Sequence, residues 1–342
     1  MYKRQGLKGA DLIAANTDKQ VLDNSLALRV LQLGPQLTKG LGAGGDPEIG
    51  RRAMEESADE LKKILQGAQM VFLTAGMGGG TGTGGIPVAA EIARSMGIVT
   101  VAIVTKPFSF EGRYRIEKAE KGIEELKEKV DTLIVIPNDK ILEIADVPME
   151  EAFELADQVL YKAVKGILEL KWKPGKINLD FADIKAVMSE RGYAIMGIGE
   201  GEGENRALDA AKNAISSPLL DEYSIKGAKA VLVNIKASQK VFASEINDIN
   251  KFIQSQARDG AHEPNYFFGL TYDEELGEKI EVTVIATGIN RVTKSQKKVK
   301  VETAEPVAEE LKIEDRDIPA FKRLGIDIFA DIPPETVEEI YG

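Results

Sequence analysis

In the first half of the chain, short apolar runs alternate with longer segments whose apolar positions recur every three or four residues. Leu12–Ala15, Val30–Leu33, Met70–Thr74, Val99–Val104 and Thr132–Ile136 read as short buried strands. Pro47–Gln66 and Glu111–Val130 read as amphipathic helices with charged outer faces, and Ile86–Met96 as a more apolar helix between them. Strand and helix alternating at this spacing predict an α/β fold with a doubly wound parallel sheet. Ligands of such sheets bind in the loops after the carboxyl ends of the strands, so those loops are the first place to look for chemistry.

Met149–Lys171 has the pattern of one long helix, with Phe153, Ala156, Leu160, Val164, Ile167 and Lys171 along one stripe and a Lys-Trp-Lys-Pro-Gly stop behind it. Beyond the stop the pattern changes. Phe181–Ser189, Glu204–Ser216 and Val241–Gln256 read as helices, and Ala228–Ile235, Tyr266–Tyr272 and Lys279–Ala286 as strands, which predicts a smaller mixed α/β domain. From Asn290 the chain turns polar: a basic stretch through Lys300 is followed by Glu302, Glu305, Glu309 and Glu310, the composition of a solvated linker. Asp317–Arg323 then returns apolar residues to a polar tail, as docking peptides that order on binding do. The predicted organisation is a nucleotide-type domain over 1–148, a central helix over 149–172, a second domain over 173–289, a linker over 290–316, and a docking peptide and tail over 317–342.

Composition narrows the function classes. The 342 residues carry 44 Lys+Arg against 55 Asp+Glu, and a net charge of −11 argues against broad binding to nucleic acid or an anionic membrane. It leaves room for a small anion held by backbone N–H groups and helix ends. Zero Cys excludes disulfides and thiolate chemistry, and a single His, His262, argues against a histidine metal site or a His-based triad. With no apolar run near the ~20 residues of a membrane span and no signal-peptide pattern, a cytoplasmic protein is expected.

The most informative segment is Thr74-Ala-Gly-Met-Gly-Gly-Gly-Thr-Gly-Thr-Gly84, between a strand and a helix. Gly78, Gly79, Gly80 and Gly82 let backbone N–H groups crowd around a phosphate, the following helix adds its positive dipole end, and Thr81 and Thr83 offer hydroxyls. No Lys-Ser/Thr pair closes the loop, so it is not a Walker A motif. A second Gly-rich loop, containing Gly42, Ala43 and Gly44, precedes a helix with Asp46 as N-cap and Pro47 at its first position. Two such loops on one sheet suggest a shared polyphosphate, although each could also be a plain structural connection. Asn16 and Asp18 could reach phosphate-bound Mg²⁺ or water, or could cap a helix. Glu111 and Arg115, four apart, could be only a local ion pair worth ~0.5 kcal/mol. Asn178-Leu-Asp-Phe-Ala-Asp183 offers a carboxylate pair: Asp180 and Asp183 either cap and complement a helix start or position water or a cation beside a phosphate.

Taken together, these motifs resemble the tubulin superfamily and, within it, the FtsZ family of bacterial cell-division GTPases. The resemblance rests on the GGGTGTG loop at Gly78–Gly84, Asn16-Thr-Asp18, Gly40–Gly50, Pro107–Gly112, Ile136–Asp139 and Asn178–Asp183, in order and spacing, and runs from about Gly6 to Gly288. It implies that Gly80, Thr81 and Gly82 hold phosphates, that Glu111 and Arg115 contact the ribose region, and that Asn138 and Asp157 face guanine with Phe153 packed on the base. Asp157 suits that role, since a carboxylate can accept two N–H donors that adenine lacks in this arrangement. The resemblance also implies that Asn178, Asp180 and Asp183 enter the GTP/GDP pocket of the next subunit in a head-to-tail filament, a heterologous interface that does not close. Mg²⁺ is expected with the nucleotide, retaining several waters, since no acidic cage for a protein-bound metal is visible. Asp317–Arg323 resembles the peptide by which the family recruits membrane tethers and regulators. That implies membrane contact only through partners, no direct nucleic-acid binding and a place at the mid-cell division site. Leu324–Gly342 extends past that peptide.

The family pattern begins with a strand and a further Gly-rich loop, whereas Met1-Tyr-Lys-Arg aligns inside the helix after them, so an N-terminally incomplete GTP-binding domain is expected. Three functions compete. One is a polymerising GTPase. Another is a truncated paralogue that joins or regulates filaments without turnover. The third, a nicotinamide-dependent oxidoreductase, requires a GxGxxG turn on the first strand, where this chain has none.

Overall fold

The computed structural model describes residues 9–142, 147–172, 175–177, 179–190, 192–217, 224–260 and 262–289. Asn178, the linker over 290–316 and the docking segment with its tail over 317–342 lie outside the described residues. The first half runs β1 (Ile13–Asn16), α1 (Lys19–Asp23), β2 (Arg29–Gln32), α2 (Pro35–Thr38), α3 (Pro47–Glu56), α4 (Ala58–Leu65), β3 (Met70–Gly76), α5 (Thr81–Ser95), β4 (Val99–Lys106), α6 (Arg113–Lys129), β5 (Thr132–Pro137) and α7 (Asp139–Leu142). The second half follows with α8 (Met149–Trp172), β6 (Gly175–Ile177), α9 (Phe181–Met188), β7 (Gly192–Gly201), α10 (Arg206–Ile215), β8 (Ala230–Ala237), α11 (Ala243–Ala257), β9 (Asn265–Tyr272) and β10 (Ile280–Ile289).

Eight strands form one sheet in the order β3-β4-β5-β7-β10-β8-β9-β6. From β3 through β7 the pairing is parallel; β10 then runs antiparallel to both β7 and β8. The two halves meet at a short parallel register, with Thr132, Leu133 and Ile134 of β5 opposite Gly192, Tyr193 and Ala194 of β7. Residues through Thr293 therefore cluster as one unit, with the parallel and the mixed part on a common sheet. β1 and β2 form a separate parallel pair. Leu31 and Leu33 nonetheless share a core with α3, α4 and α5, against which Val71 and Leu73 of β3 also pack.

Alternation along β4 explains the two-sided burial. Val101 and Ile103 pack with Leu160, Val164 and Ile167 of α8 and with Ile184, Val187 and Met188 of α9. Ala102 and Val104 point the other way, toward Ile86 and Ala90 of α5 and Ala119, Ile123 and Leu126 of α6. A strand covered on both faces is buried along its length and predominantly apolar, as Val99–Val104 is with Thr100 its one polar residue.

The sequence pattern differs from the structure in several places, and α1, α2, α7 and β6 have no counterpart in it. Pro47–Gln66 is two helices, because Ser57 breaks the run. Its hydroxyl accepts from the Gly34 N–H at 3.0 Å and lies 3.2 Å from the Gln32 carbonyl, so it serves the β2–α2 turn. Helix α5 starts at Thr81 rather than Ile86, so the second half of the Gly-rich loop is already helical. β7, a central strand, carries no strand pattern in the sequence.

Candidate nucleotide-binding site

The predicted site residues of the first half gather at the carboxyl ends of β1, β3, β4 and β5. Gly80 and Gly84 explain how the two Gly-rich loops come so close. A Cβ at Gly84 would lie 1.7 Å from the Pro47 carbonyl oxygen, and one at Gly80 would lie 2.8 Å from both Ala43 Cβ and the Asp46 backbone N. The start of α5 thus packs backbone-to-backbone on the start of α3, and only glycine permits it. Gly44 and Gly79 face open space instead, leaving room for a ligand beside both loops.

Other contacts pin the rim. Gly42 donates its N–H to the Thr17 carbonyl at 3.3 Å, and Lys118 of α6 donates to the Gly45 carbonyl at 2.7 Å. The Thr17 and Thr81 hydroxyls lie 2.6 Å apart. Thr81 is the opening residue of α5 and half-buried, whereas Thr83 is buried and its hydroxyl accepts from the Gly78 N–H at 2.8 Å, bracing the loop from within. Gly82 sits between them on the first turn of α5. Asn16 and Asp18 take up local bonds: Asn16 Oδ1 accepts from the Asp18 N–H at 3.1 Å, and Asp18 caps α1 by accepting from the Gln20 N–H at 2.8 Å.

Arg115 lies along Gly78, where a Cβ would meet Arg115 Cγ at 2.7 Å. Its guanidinium pairs with Glu111 at 3.2 Å, and the other oxygen of Glu111 accepts from the Phe108 N–H at 2.8 Å. The Glu111–Arg115 pair thus stands beside the phosphate-type loop while the arginine side chain stays half-exposed.

Past β5 the surroundings become apolar. Phe108 is fully buried, stacks on Phe110 at 4.9 Å and meets Phe153 of α8 edge-on at 5.1 Å. Phe153 and Phe110 leave 43% and 51% of their surfaces exposed, an unusual cost for two aromatic rings unless a flat apolar group covers them. One turn beyond Phe153, Asp157 has its carboxyl held above the ordinary Asp range, chiefly by desolvation and further by Glu154, although part of its surface meets solvent. Asn138, at the start of α7, is 94% buried, and its Oδ1 has no hydrogen-bond partner among the described residues. A buried amide oxygen without a donor is rare in folded proteins and fits a ligand N–H.

The carboxylate pair stands elsewhere. Asp180 and Asp183 form a reciprocal capping box on α9: Asp180 Oδ1 accepts from the Asp183 N–H at 2.9 Å and Asp183 Oδ2 from the Asp180 N–H at 3.3 Å. Each carboxylate keeps its second oxygen outside the box. The last turn of α9 is bound at the amino end of β5, where the Met188 carbonyl accepts from the Thr132 hydroxyl. From Asp157, α8 runs a further ~22 Å to Trp172, away from the base-side residues. The structure therefore brings Phe153, one turn before Asp157, against Phe108 of the rim, and places Asp180 and Asp183 together at the start of α9.

Three rim residues carry no separate signal in the sequence. Thr17 lies inside Asn16-Thr-Asp18, and Phe108 and Phe110 inside Pro107–Gly112; belonging to those segments is the only hint. Among the described residues, no group of three or more His, Cys, Asp or Glu could hold a metal ion, and no helix is long and apolar enough to cross a membrane.

Comparison with known proteins agrees with this geometry. Residues 2–146 match the model of the Tubulin/FtsZ family, GTPase domain, and residues 192–290 that of the FtsZ family, C-terminal domain. The chain is 51% identical over 293 residues to a cell division protein FtsZ of Caulobacter vibrioides, across 85% of this chain and 57% of that protein. It thus spans little more than half the length of the curated relatives it matches. Among solved structures, an empty FtsZ dimer of M. jannaschii superposes with a TM-score of 0.79 at 44% identity, over 84% of this chain and 82% of that one. CetZ2 of Haloferax volcanii, at 21% identity over 82% of this chain and 84% of its own, shares the fold with a TM-score of 0.69. The fold, the paired domain matches and this identity agree: the chain belongs to the Tubulin/FtsZ family.

Proposed function

We propose that the chain binds GTP at the rim described above and hydrolyses it to GDP and phosphate when a second copy docks head-to-tail, building the cell-division filament. The observation that carries this reading is the orphaned Oδ1 of buried Asn138, beside half-exposed Phe153 and Asp157 on the next turn. Guanine supplies what they lack: a flat ring for the phenyl face and N–H donors for an amide oxygen and a carboxylate. Gly42, Ala43, Gly44 and Gly78–Thr81 with Gly82 hold the phosphates through backbone N–H groups and the start of α5, and Thr81 adds a hydroxyl. Glu111 and Arg115 border the ribose. Mg²⁺ arrives with the phosphates and neutralises their charge, with Asn16 and Asp18 close to the same loops.

Hydrolysis is assigned to the facing subunit. Asp180 and Asp183 bond each other's backbone N–H at the start of α9, and each has a second oxygen left for water; Asn178 is assigned to the same loop. Set against the neighbour's γ-phosphate, they orient a water for in-line attack, and catalysis comes from positioning and charge without a covalent intermediate. A surface pocket matched to a distant loop is a heterologous contact and grows into a filament. Asp317–Arg323 would then present that filament to membrane tethers and regulators at the division site.

The test is GTP turnover by this chain across a range of protein concentrations, with Asp183→Ala in parallel. Turnover per chain should rise from near zero above a threshold concentration and stay at background in the variant. Turnover independent of concentration would overturn the shared site, and none at any concentration, with nucleotide still bound, would leave a filament component without catalysis.

A further inference from the structure

Thr17 is fully buried and lies 64 positions from Thr81 in sequence, yet their hydroxyl oxygens are 2.6 Å apart. The Thr17 carbonyl accepts from Gly42 N–H at 3.3 Å and lies 3.2 Å from the Thr38 hydroxyl, whose oxygen in turn accepts from the Gly40 N–H at 3.3 Å. One residue thus touches both phosphate-type loops: its main chain holds the loop that begins at Gly40, and its side chain holds the first residue of α5. Lys19 closes the same seam by donating its N–H to the Gly40 carbonyl at 3.0 Å.

We propose that Thr17 is a positioning residue for phosphate binding, fixing the Thr81 hydroxyl and the register between the two loops. The inference rests on the nucleotide reading above. A hydroxyl carries one proton, so either threonine can donate while the site is empty. Once Thr81 gives its proton to a phosphate oxygen, only Thr17 can donate across the 2.6 Å contact. The direction of the pair is then set, and the Thr81 hydroxyl is held toward the ligand rather than free to rotate. Burial of Thr17 strengthens this, because no water competes for the Thr81 oxygen on that side.

The test is equilibrium binding of fluorescent GDP and GTPγS to the full chain and to Thr17→Val, Thr17→Ser, Thr81→Val and the double Thr17→Val/Thr81→Val variant, with thermal melts of each. Valine keeps the shape of threonine and removes the hydroxyl, so Thr17→Val should bind both nucleotides about tenfold more weakly, the scale of one hydrogen bond. Thr17→Ser should stay within about twofold of the parent. If Thr17 acts through Thr81, the double variant should lose no more than Thr81→Val alone. A Thr17→Val chain that melts lower but binds as tightly as the parent would overturn the proposal in favour of a purely structural role. So would losses that add up in the double variant, or a Thr17→Ser chain as impaired as Thr17→Val. Should Thr17→Val not fold, the Thr17→Ser and Thr81→Val chains still decide: a Thr17→Ser chain more than about twofold weaker, or a Thr81→Val chain binding as the parent does, overturns the inference. Failure of the parent chain to bind either nucleotide is a different result, overturning the nucleotide reading and this inference with it.

Discussion

At the scale of single residues, the proposed base-side pocket is a set of groups whose needs are unmet among the described residues. Asn138 has a buried oxygen without a donor, Phe153 has an open ring, and Asp157 has a carboxyl that desolvation pushes above the ordinary Asp range. The last point gives a pH dependence with a definite sign. In the proposed complex guanine N–H groups bind the ionised carboxylate, so GTP affinity should be full near neutrality and fall as the pH drops through the raised range of Asp157. Asp157→Asn should bind GTP about tenfold more weakly near neutrality, and its affinity should lose that acid limb. Titrating a fluorescent GTP analogue against both chains from neutral to mildly acidic pH checks this; an acid limb that persists in the variant would assign it to another group. The sequence shows these residues by type and spacing, because a carboxylate and a phenylalanine four apart on a helix must share a face. It does not show that Asn138 lacks a donor or that Phe108 backs Phe110, since both depend on how β4, β5 and α8 meet.

At the scale of elements, local pattern and tertiary packing contribute unequally. The strands Met70–Gly76, Val99–Lys106 and Thr132–Pro137 are legible because parallel strands covered on both faces read as predominantly apolar runs. β7 is not, and the reason is steric. A Cβ at Gly199 would lie 2.1 Å from the Ala214 N, and one at Gly201 would lie 2.0 Å from the Arg206 carbonyl oxygen, so α10 packs directly on the strand backbone. Glycines chosen for that approach read as loop in the sequence. Helix α8 shows the opposite case, legible as a helix but not in how it is seated. Lys236 of β8 lies 3.1 Å from Glu169 of α8 and 2.8 Å from Glu281 of β10, all three largely buried. Burial alone would lower the Lys236 ammonium, but the two carboxylates outweigh it and hold it above the usual lysine range. Burial likewise pushes the Glu281 carboxyl up, and Lys236 outweighs it, leaving it below the usual Glu range. Lys236→Met should therefore destabilise the fold by about 3 kcal/mol near neutral pH, because the largely buried Glu169 and Glu281 both lose a close ammonium partner. The Glu281 contribution in the parent is present above the unfolded Glu value of about 4.3 and is lost as the pH falls through the lower folded value. The gap between parent and variant should narrow on acidification, which urea unfolding near pH 7 and near pH 4 would show. An equal gap at both values would mean that lost packing rather than lost charge explains the variant.

At the scale of the whole molecule, the two halves of the proposed reaction stand on different elements, the rim loops after β1, β3, β4 and β5 and the start of α9. The pocket follows the carboxyl ends of the strands, while α9, which Asp180 caps, follows α8 in the chain and is fastened by its last turn at the amino end of β5. On the proposed function the unit of catalysis is a junction between two chains, and a junction can be assembled from two different defects. Asp157→Ala impairs the base-side pocket and keeps the carboxylates; Asp183→Ala keeps the pocket and impairs the carboxylates. Each alone should turn GTP over at close to background. In a one-to-one mixture, the pocket of an Asp183→Ala chain meets the intact loop of an Asp157→Ala chain at about a quarter of randomly formed junctions. The mixture should therefore recover up to roughly a quarter of the parent rate above the assembly threshold and nothing below it. A site completed within one chain predicts no recovery at any ratio, because neither variant holds both halves. Varying the ratio sharpens the distinction: recovery should peak at equal amounts and fall away symmetrically, as the product of the two fractions requires.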